Sequence, residues 1–455
     1  MKSQLAWARR TFGDADLGDL RRTRRVVKAA ARLQLQPAGR ITKVFSNPAE
    51  REAAFRLIAN DAVDPAEIAA ASHRATARQC VGQELVYVAL DETCLSFSDR
   101  TGRRFGRTGR DGKHRGMHAM SALAVDVQGT TLGLIGQRYW VQPAERSPKW
   151  KHDRRPASRR QSSQWKRVLT SSLQVMQAHA PRCRPWFQLD RGGDIGQVLS
   201  FAYEKSLLLT VRAAHDRAVE GVEGTKLWAL LKSSPVLARQ RLKIPARGGR
   251  HAREAVLQVR AQRVRLRVAR PGKKRRSQSV ELYAVYVSEA SKPDGIEWML
   301  WTTHPVHTAH DALHVVHAYT MRWRVEDFHK AWKTGDCNIE SSLIRGTLAM
   351  QRWAAMTAAV AARAEHLKLI SRAEPNRSAE PAIERNELDA AIILSETSKH
   401  KVGDSLTLEQ AVYLIACVGG YTGKSSGGPP GTITIARGLD RVCAAAIALR
   451  AVRSG

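Results

Sequence analysis

The chain has 455 residues, long enough to bury a sizeable core and to form two or three domains. It carries 74 Lys and Arg against 42 Asp and Glu, and the resulting formal net charge of +32 favours a polyanionic partner such as nucleic acid. A membrane surface would also attract this charge, but no apolar run reaches the roughly 18 residues of a membrane span and no signal peptide opens the chain, so we expect no membrane partner.

Residues 1–65 form the first predicted domain, which is helical and basic. Asp19 is the expected N-cap of a helix that continues through an Ala-rich segment until Pro37 and Gly39 interrupt it. A second helix is predicted for residues 48–59. Short helices with a cationic face indicate a small DNA-binding module, although a solvated helix face explains any single arginine equally well.

Residues 66–349 are predicted to form an α/β core. A continuous apolar run at residues 85–90 predicts a strand buried on both faces, and Asp91 follows it directly. A carboxylate in that position indicates a functional site, although a loop carboxylate that reaches water explains Asp91 alone equally well. A hairpin is predicted about Gln128-Gly129, and a basic segment at residues 146–167 leads into a helix.

A second short apolar strand is predicted for residues 184–189, with Asp190 directly after it. Asp194 is the expected cap of a helix over residues 195–205, and a further strand is predicted for residues 207–212.

The pattern then changes at residues 216–301 to alternating residues with turn signals, which predicts an inserted, mostly antiparallel β subdomain. Its basic run at residues 272–276 is expected at a hairpin tip or loop. Residues 350–455 are rich in Ala and Leu and predict a helical C-terminal domain, suited equally to helical packing and to self-association. The isolated cysteines have no zinc-site or disulfide spacing, which indicates reduced thiols of a cytoplasmic protein.

Residues 319–333 are predicted to form one helix with two contrasting faces. The apolar face holds Met321, Val325, Phe328 and Trp332. The opposite face holds Tyr319, Arg322, Trp323, Glu326, Lys330 and Lys333. Cations suit phosphates and flat rings suit bases. Glu326 has two interpretations, an intrahelical ion-pair partner or a metal-binding carboxylate beside a nucleic-acid backbone.

Three carboxylates are therefore candidates for one site: Asp91, Asp190 and Glu326. Brought together, they would repel one another unless divalent cations were bound, and hard oxygen ligands suit Mg²⁺ or Mn²⁺. Two such ions would activate a water or a 3′-hydroxyl and stabilise the leaving oxygen of a phosphoryl displacement. Residue types and spacing alone favour a metal-dependent DNA phosphoryl-transfer enzyme about as strongly as a non-catalytic protein.

The spacing Tyr319-x2-Arg322-x3-Glu326-x6-Lys333 resembles the signature of the IS4-type insertion-sequence transposases. The resemblance covers residues from about 7 to 335, because Trp7-Ala8 with residues 17–23 is similar to the family's DNA-binding region. Asp91 and Asp190-Arg191 fall where its two catalytic aspartates belong, and Trp298 falls where a base-stacking tryptophan precedes the last strand. A weaker similarity follows at residues 416–420.

The resemblance implies an RNase H-like DDE catalytic core with a β insertion, between an N-terminal end-binding domain and a C-terminal dimerisation domain. It implies cut-and-paste transposition, in which both strands are cut at the element's ends through a DNA hairpin and the 3′-hydroxyls are joined to target DNA. The implied cofactor is Mg²⁺, with Mn²⁺ as a substitute. The implied partners are double-stranded DNA (terminal inverted repeats and target) and a second copy in a homodimeric synaptic complex, in the bacterial cytoplasm and nucleoid.

Position by position, the resemblance assigns metal binding to Asp91, Asp190 and Glu326. The residues implied to contact DNA near the reaction are Tyr319, Arg322, Lys330, Lys333, Trp298, Trp323 and Arg212. Trp298 would stack a flipped base and Trp323 would act as a wedge, with a plain core aromatic as the alternative for each. The N-terminal candidates for end binding are Arg21, Arg22, Arg25, Arg40, Lys43 and Arg56.

The sequence departs from the family at Gly192-Gly193, where a glutamate is usual, and the C-terminal region matches poorly. The first departure concerns the local turn, and the second concerns dimer geometry. Two alternatives therefore stand beside the transposase: a catalytically silent DNA-binding inhibitor of transposition, and a related nuclease without strand transfer.

Overall fold

The computed structural model describes residues 2–99, 102, 104–109, 114–143, 163–221, 226–244, 253–270, 276–290, 295–335, 337–380, 382–396, 398–423 and 429–454. The strands are β1 (Leu85–Ser96), β2 (Gly106–Thr108), β3 (His114–Val125), β4 (Thr131–Trp140), β5 (Arg184–Leu189), β6 (Leu208–Arg212), β7 (Ala238–Ile244), β8 (Arg253–Arg270), β9 (Arg276–Glu289) and β10 (Glu297–Thr302). The helices are α1 (Lys2–Phe12), α2 (Leu20–Leu35), α3 (Ile41–Val44), α4 (Pro48–Ala59), α5 (Pro65–Gln79), α6 (Ser163–His179), α7 (Gly196–Glu204), α8 (Leu227–Ser233), α9 (Ala309–Thr320), α10 (Trp323–Lys333), α11 (Thr347–Ala373), α12 (Arg385–Leu394), α13 (Leu408–Val418) and α14 (Thr432–Ser454).

The described strands form one mixed sheet in the order β2-β3-β1-β5-β6-β10-β9-β8-β7, with β4 paired to β3. β1, β5 and β6 run parallel to one another, and the other pairs are antiparallel. The mixed α/β architecture predicted from the sequence is confirmed at this level. The strands of the predicted insertion, β7 to β9, continue the core sheet beyond β10 and do not form a sheet of their own.

The two faces of the sheet are covered by different helices. Successive side chains of a strand point to opposite faces, so Tyr87 and Ala89 of β1 lie in one apolar core and Val86 and Val88 in another. The first core also takes in helices α1 to α4 and α9 to α11, and the second takes in α6 to α8. A third apolar cluster joins α12 to α14. The long α11 contacts the N-terminal helices, β4 and the C-terminal helices, so it connects both helical regions to the sheet.

The outer strand β7 carries exposed cations. Arg239 and Arg241 are exposed on this strand, and Arg241 lies 3.7 Å from Glu254 of the neighbouring β8. The last described strand at this end of the sheet is thus positively charged along its solvent side.

Most of the predicted elements are confirmed. Asp19 caps α2 by accepting from the Arg21 amide, and the helix over residues 48–59 has the predicted bounds. The hairpin at Gln128-Gly129 joins β3 and β4. The basic run at residues 272–276 lies outside the described residues, except for Arg276 of β9. The basic segment at residues 146–167 also lies outside them, except for residues 163–167 of α6.

Three local predictions were wrong. β1 does not end at residue 90 but continues to Ser96, because residues 91–96 pair with β3. Residues 319–333 form two helices, since α9 ends at Thr320 and α10 begins at Trp323. Asp194 does not cap α7, because its buried carboxylate lies 2.6 Å from Arg217 and accepts from the amides of Ala214 and His215.

Two further observations concern the class of protein. No helix in the described parts of the chain combines the length and the apolar character that crossing a membrane requires. All six cysteines are free thiols.

We expect the protein to lose stability in mild acid through His73 of α5. The imidazole is buried, and burial together with nearby Arg74 lowers its pKa from 6.5 to about 3. The unfolded chain therefore takes up a proton at this histidine near pH 6.5 and the folded chain does not. The contribution of His73 to the free energy of unfolding is constant above pH 6.5 and falls by about 1.4 kcal/mol per pH unit from there down to a pH of about 3. Urea unfolding at pH 7.5 and 5.5 should show a smaller acid-induced loss in His73→Leu than in the wild type. An equal loss in both proteins would contradict the assignment.

Candidate active site

The first two predicted carboxylates lie side by side at one edge of the sheet. The parallel pairing of β1 with β5 ends at Leu90 and Leu189, so Asp91 and Asp190 follow the last pair on neighbouring strands. Asp91 itself stays in β1 and faces Ser121 of β3. Asp190 ends its strand and accepts a 2.8 Å hydrogen bond from the Gly192 amide, which opens a short 3₁₀ turn.

Helix α10 brings the third carboxylate over this edge. Val325, Phe328 and Trp332 are buried against the sheet, as the apolar face predicts, and the helix contacts both β1 and β3. Glu326 lies on the turn between these anchors. Arg322 donates to Glu326 at 2.7 Å, so the ion-pair interpretation of this glutamate is realised in the structure. Arg322 is 8% exposed as a side chain, which makes it a buried cation among the carboxylates.

The charges at this edge are coupled. Burial, with the neighbouring Asp190 and Glu326 carboxylates, raises the pKa of Asp91 to about 7 against the opposing charge of Arg322. Burial would lower the pKa of Arg322, but Tyr319, Glu326 and Asp91 raise it above its usual value. Burial and, after it, the two neighbouring carboxylates therefore favour the protonated form of Asp91 near neutral pH, and Arg322 is the cation that opposes them.

A buried histidine that the sequence reasoning did not single out also faces Asp91. His329 Nδ1 lies 3.8 Å from Asp91 Oδ2, and its Nε2 lies 3.2 Å from the hydroxyl of Ser121. Gln137 donates to the same hydroxyl at 3.0 Å. Burial lowers the pKa of His329 to about 3, so the ring is neutral at physiological pH. The signal in the sequence was its position three residues after Glu326, one helical turn along the same side.

An open cleft of about 340 Å³ lies beside this group. Its lining includes Asp91 and Glu326 from the carboxylate group, together with Lys330, Lys333 and Glu340. Lys330 is exposed, and Lys333 lies 3.6 Å from Glu340. The cleft thus brings carboxylates and two lysines together, which suits a phosphodiester held next to bound cations.

The predicted aromatic residues lie at the junction of α9, α10 and β10. Tyr319 is buried, and its ring meets that of Trp298 edge to face at 5.5 Å. Trp298 is half-buried. Trp323 is 42% exposed, and the Arg322 guanidinium lies 5.2 Å from the centre of its ring. Arg212, at the end of β6, donates to the Glu297 carbonyl at 3.0 Å and interacts with Tyr319.

The donor set fits a hard divalent cation in its chemistry. Asp91, Asp190 and Glu326 offer carboxylate oxygens only, and the charges of Asp190 and Glu326 add to burial in raising the pKa of Asp91. In the described parts of the chain, however, no three His, Cys, Asp or Glu side chains are grouped closely enough to hold a metal ion. Glu326 is bonded to Arg322, so this carboxylate must turn away from the arginine to join the two aspartates.

The N-terminal cations divide into paired and unpaired groups. Arg21 binds Asp19 at 3.0 Å and Arg56 binds Glu52 at 2.7 Å, both on the surface. Arg22 donates to the Leu17 carbonyl at 2.9 Å, which ties it to the fold. Two of the predicted cations, Arg25 and Lys43, are exposed, and within the described residues no ion pair engages them.

Arg40 connects this N-terminal region to the cleft. Its guanidinium donates at 3.1 Å to the carbonyl of Ser341, the neighbour of Glu340 in the cleft lining. The N-terminal helices therefore lie next to the candidate active site.

One comparison with known proteins bears on this region. Residues 4–63 match the family model described as transposase DNA-binding. The match covers the predicted N-terminal domain, in which the basic helices and their exposed cations lie. It supports a transposase with DNA as a partner, and it leaves the chemistry at the carboxylates to be established.

We expect the unpaired cations to contribute more to DNA binding than the paired ones. Replacing Arg25 and Lys43 together by Ala should weaken binding to duplex DNA and reduce the slope of log K against log salt by about 2, since each phosphate contact contributes about 0.9. Fluorescence anisotropy over a salt series measures this slope. Arg56→Ala is the control, because the Arg56 charge is already paired with Glu52. A double variant with an unchanged slope would remove Arg25 and Lys43 from the DNA interface.

Proposed function

We propose that the protein is a DNA transposase of the IS4 type that carries out cut-and-paste transposition at Asp91, Asp190 and Glu326. The observation that carries the proposal is that Asp91 and Asp190 lie side by side at one sheet edge, with Glu326 near enough for its charge to act on Asp91, in a chain whose N-terminal residues match transposase DNA-binding regions. The mixed sheet supports an RNase H-like core, because antiparallel β4, β3 and β1 precede parallel β5 and β6.

The carboxylates would hold Mg²⁺ or Mn²⁺, because hard oxygen ligands suit these cations. When bound, two ions would activate a water or a 3′-hydroxyl and stabilise the leaving oxygen of the scissile phosphate. Arg322 offsets the carboxylate charge in this structure. Once Glu326 turns to the aspartates, the freed guanidinium would bind a phosphate of the cleaved strand, because Arg donates to phosphate in the same paired geometry.

The rest of the cleft would hold and distort the DNA. Lys330 and Lys333, which line the cleft together with the carboxylates, would bind phosphates. Trp298, half-buried against Tyr319, would receive a base turned out of the duplex, and exposed Trp323 would occupy the gap left behind. Arg212, next to Tyr319, would contact the strand at the same junction.

The N-terminal domain would select the DNA. Arg40 links it to the cleft, so recognition of a terminal inverted repeat by residues 4–63 would place the element's end near the carboxylates. Family members act as dimers, and we propose that a second copy completes a synaptic complex through the C-terminal helices.

The test is incubation of linear DNA carrying the element's terminal inverted repeats with the full chain and Mg²⁺ or Mn²⁺. Hairpin-ended fragments and joined target DNA are the expected products. Binding to the element's end without cleavage in the presence of either metal would contradict the proposed enzyme activity and favour a transposition inhibitor. Nicking without hairpins or joining would leave a nuclease.

A further inference from the structure

A cysteine, a histidine and a glutamate meet on the neighbouring strands β1 and β3. Cys94 of β1 stands directly opposite His118 of β3, and Glu92 lies two residues earlier on the same face of β1. His118 Nδ1 is 2.8 Å from the Glu92 carboxylate and 3.5 Å from Cys94 Sγ. One ring nitrogen therefore faces both a carboxylate and a sulfur atom.

The surroundings of His118 favour its protonated form. Its other nitrogen, Nε2, lies 3.4 Å from the carbonyl of Arg107, so both ring nitrogens face acceptors, as an imidazolium requires. Trp140 stacks on the ring at 5.3 Å and holds its plane. Burial opposes the charge, but the contacts with Cys94 and Glu92 outweigh it and raise the pKa of His118 to about 9.

The same contacts favour the thiolate of Cys94. Burial raises the pKa of this thiol and the Glu92 charge adds to that, but hydrogen bonds from His118 and from the Gly109 amide outweigh both and lower the pKa. His118 and Glu92 are the titratable side chains that act on the sulfur. Cys94 is also half-buried, whereas Cys80, Cys183, Cys337 and Cys443 are buried.

We propose that Cys94 is a modification site, a thiolate held by His118 that reacts with hydroperoxides and soft carbon electrophiles, and that its modification stops DNA cleavage while leaving end binding intact. With a hydroperoxide, the sulfur forms a bond to the terminal oxygen as the O–O bond breaks. The sulfur is oxidised to a sulfenic acid, and the peroxide is reduced to water or an alcohol after uptake of a proton. With iodoacetamide, an S–C bond replaces the C–I bond and iodide leaves.

The effect on cleavage rests on the proposed function and follows from the position of Cys94. The residue lies three positions after Asp91 on β1, and Glu92, which binds the same histidine, also lines the cleft. An oxygen atom or a carbon adduct on the sulfur would displace His118, which contacts the sulfur, and with it the Glu92 carboxylate that contacts His118. End binding resides in residues 4–63, on other elements, and is expected to be unaffected.

The chemical part is tested on the full chain by pulsed labelling with iodoacetamide at pH 7, read out for each cysteine by mass spectrometry. Cys417 is the internal control because it is also half-buried. Cys94 should be labelled about five times faster than Cys417, and His118→Gln should remove the difference. If Cys94 of the wild type is labelled no faster than Cys417, the proposal that Cys94 is held as a thiolate is wrong. If His118→Gln does not fold, the wild-type pH profile decides, because the Cys94 rate must reach half its maximum at a lower pH than that of free cysteine.

The functional part compares the wild type with Cys94→Ala before and after treatment with hydrogen peroxide. The expected result is at least a tenfold loss of cleavage in the treated wild type, unchanged anisotropy with end DNA, and no loss in treated Cys94→Ala. Equal losses of cleavage in both proteins would contradict the proposed link between modification of Cys94 and the loss of cleavage. If the untreated wild type does not cleave, the proposed function fails, while the labelling rates still test the reactive thiol independently.

Discussion

Glu326→Gln is expected to lower the rate of DNA cleavage at least about 1000-fold, or ~4 kcal/mol in the activation barrier, while binding to end DNA stays within about twofold of the wild type. The amide keeps the size of the side chain and its contact with Arg322 but removes the negative charge that a divalent cation needs. The measurement is the rate of hairpin formation on a DNA substrate carrying the element's end, with binding followed in parallel by anisotropy.

Asp327→Asn is the matched control for this variant. Asp327 is the next residue of α10, and its replacement by Asn removes the same formal charge. Its side chain is exposed, however, and the residue does not line the cleft. It should cleave within about threefold of the wild type, as surface charges contribute little. A Glu326→Gln variant with near-normal cleavage would leave the Arg322 ion pair as the role of this glutamate.

Arg352→Met is expected to produce the largest change in stability. Arg352 of α11 is 2% exposed and donates to the carbonyl of Ile58 at 2.7 Å, in the last turn of α4, and to that of Val63 at 2.6 Å, beyond the end of this helix. Methionine keeps the apolar stem but leaves both carbonyls buried without a donor, at a cost of about 3 kcal/mol. Amide hydrogens of residues 57–64 should then exchange roughly 100 times faster with solvent, as a local opening of that cost implies.

The control for Arg352→Met is Arg345→Met, which makes the same chemical change at an exposed position before α11. Exchange at residues 57–64 should be unchanged in that variant. An Arg352→Met protein with wild-type exchange would show that water satisfies these carbonyls and that the arginine does not fasten the N-terminal helices to α11.

The sequence predicted elements well where local signals decide them. The helix at residues 48–59 follows from Asn47, whose side chain caps it, and from Pro48 at its first position. Contacts between residues distant in the chain could not be predicted from the sequence. Residues 91–96 look polar and irregular, and only pairing with β3 keeps them in β1. Asp194 has the chemistry of a helix cap, but its carboxylate accepts a hydrogen bond from Arg217, 23 residues later.

In the candidate site, too, local signals predicted some features, and contacts between distant residues were missed. The two aspartates could be predicted because each follows a buried apolar run, and the helical repeat grouped Arg322 with Glu326. Their ion pair was one of the two predicted interpretations, and it is present at 2.7 Å. His329 was missed because its contacts, Asp91 and Ser121, come from two strands more than 200 residues earlier. Periodicity places a residue on a helix face but does not say which strand that face meets.

The arginines of β7 bear on how copies of the protein can associate. An exposed strand at the end of a sheet offers free backbone groups that another chain can pair with, and long sheets are prone to aggregate in this way. Two β7 strands brought side by side would set Arg239 and Arg241 of one copy close to those of the other. The resulting repulsion would oppose pairing of the two sheets at this strand.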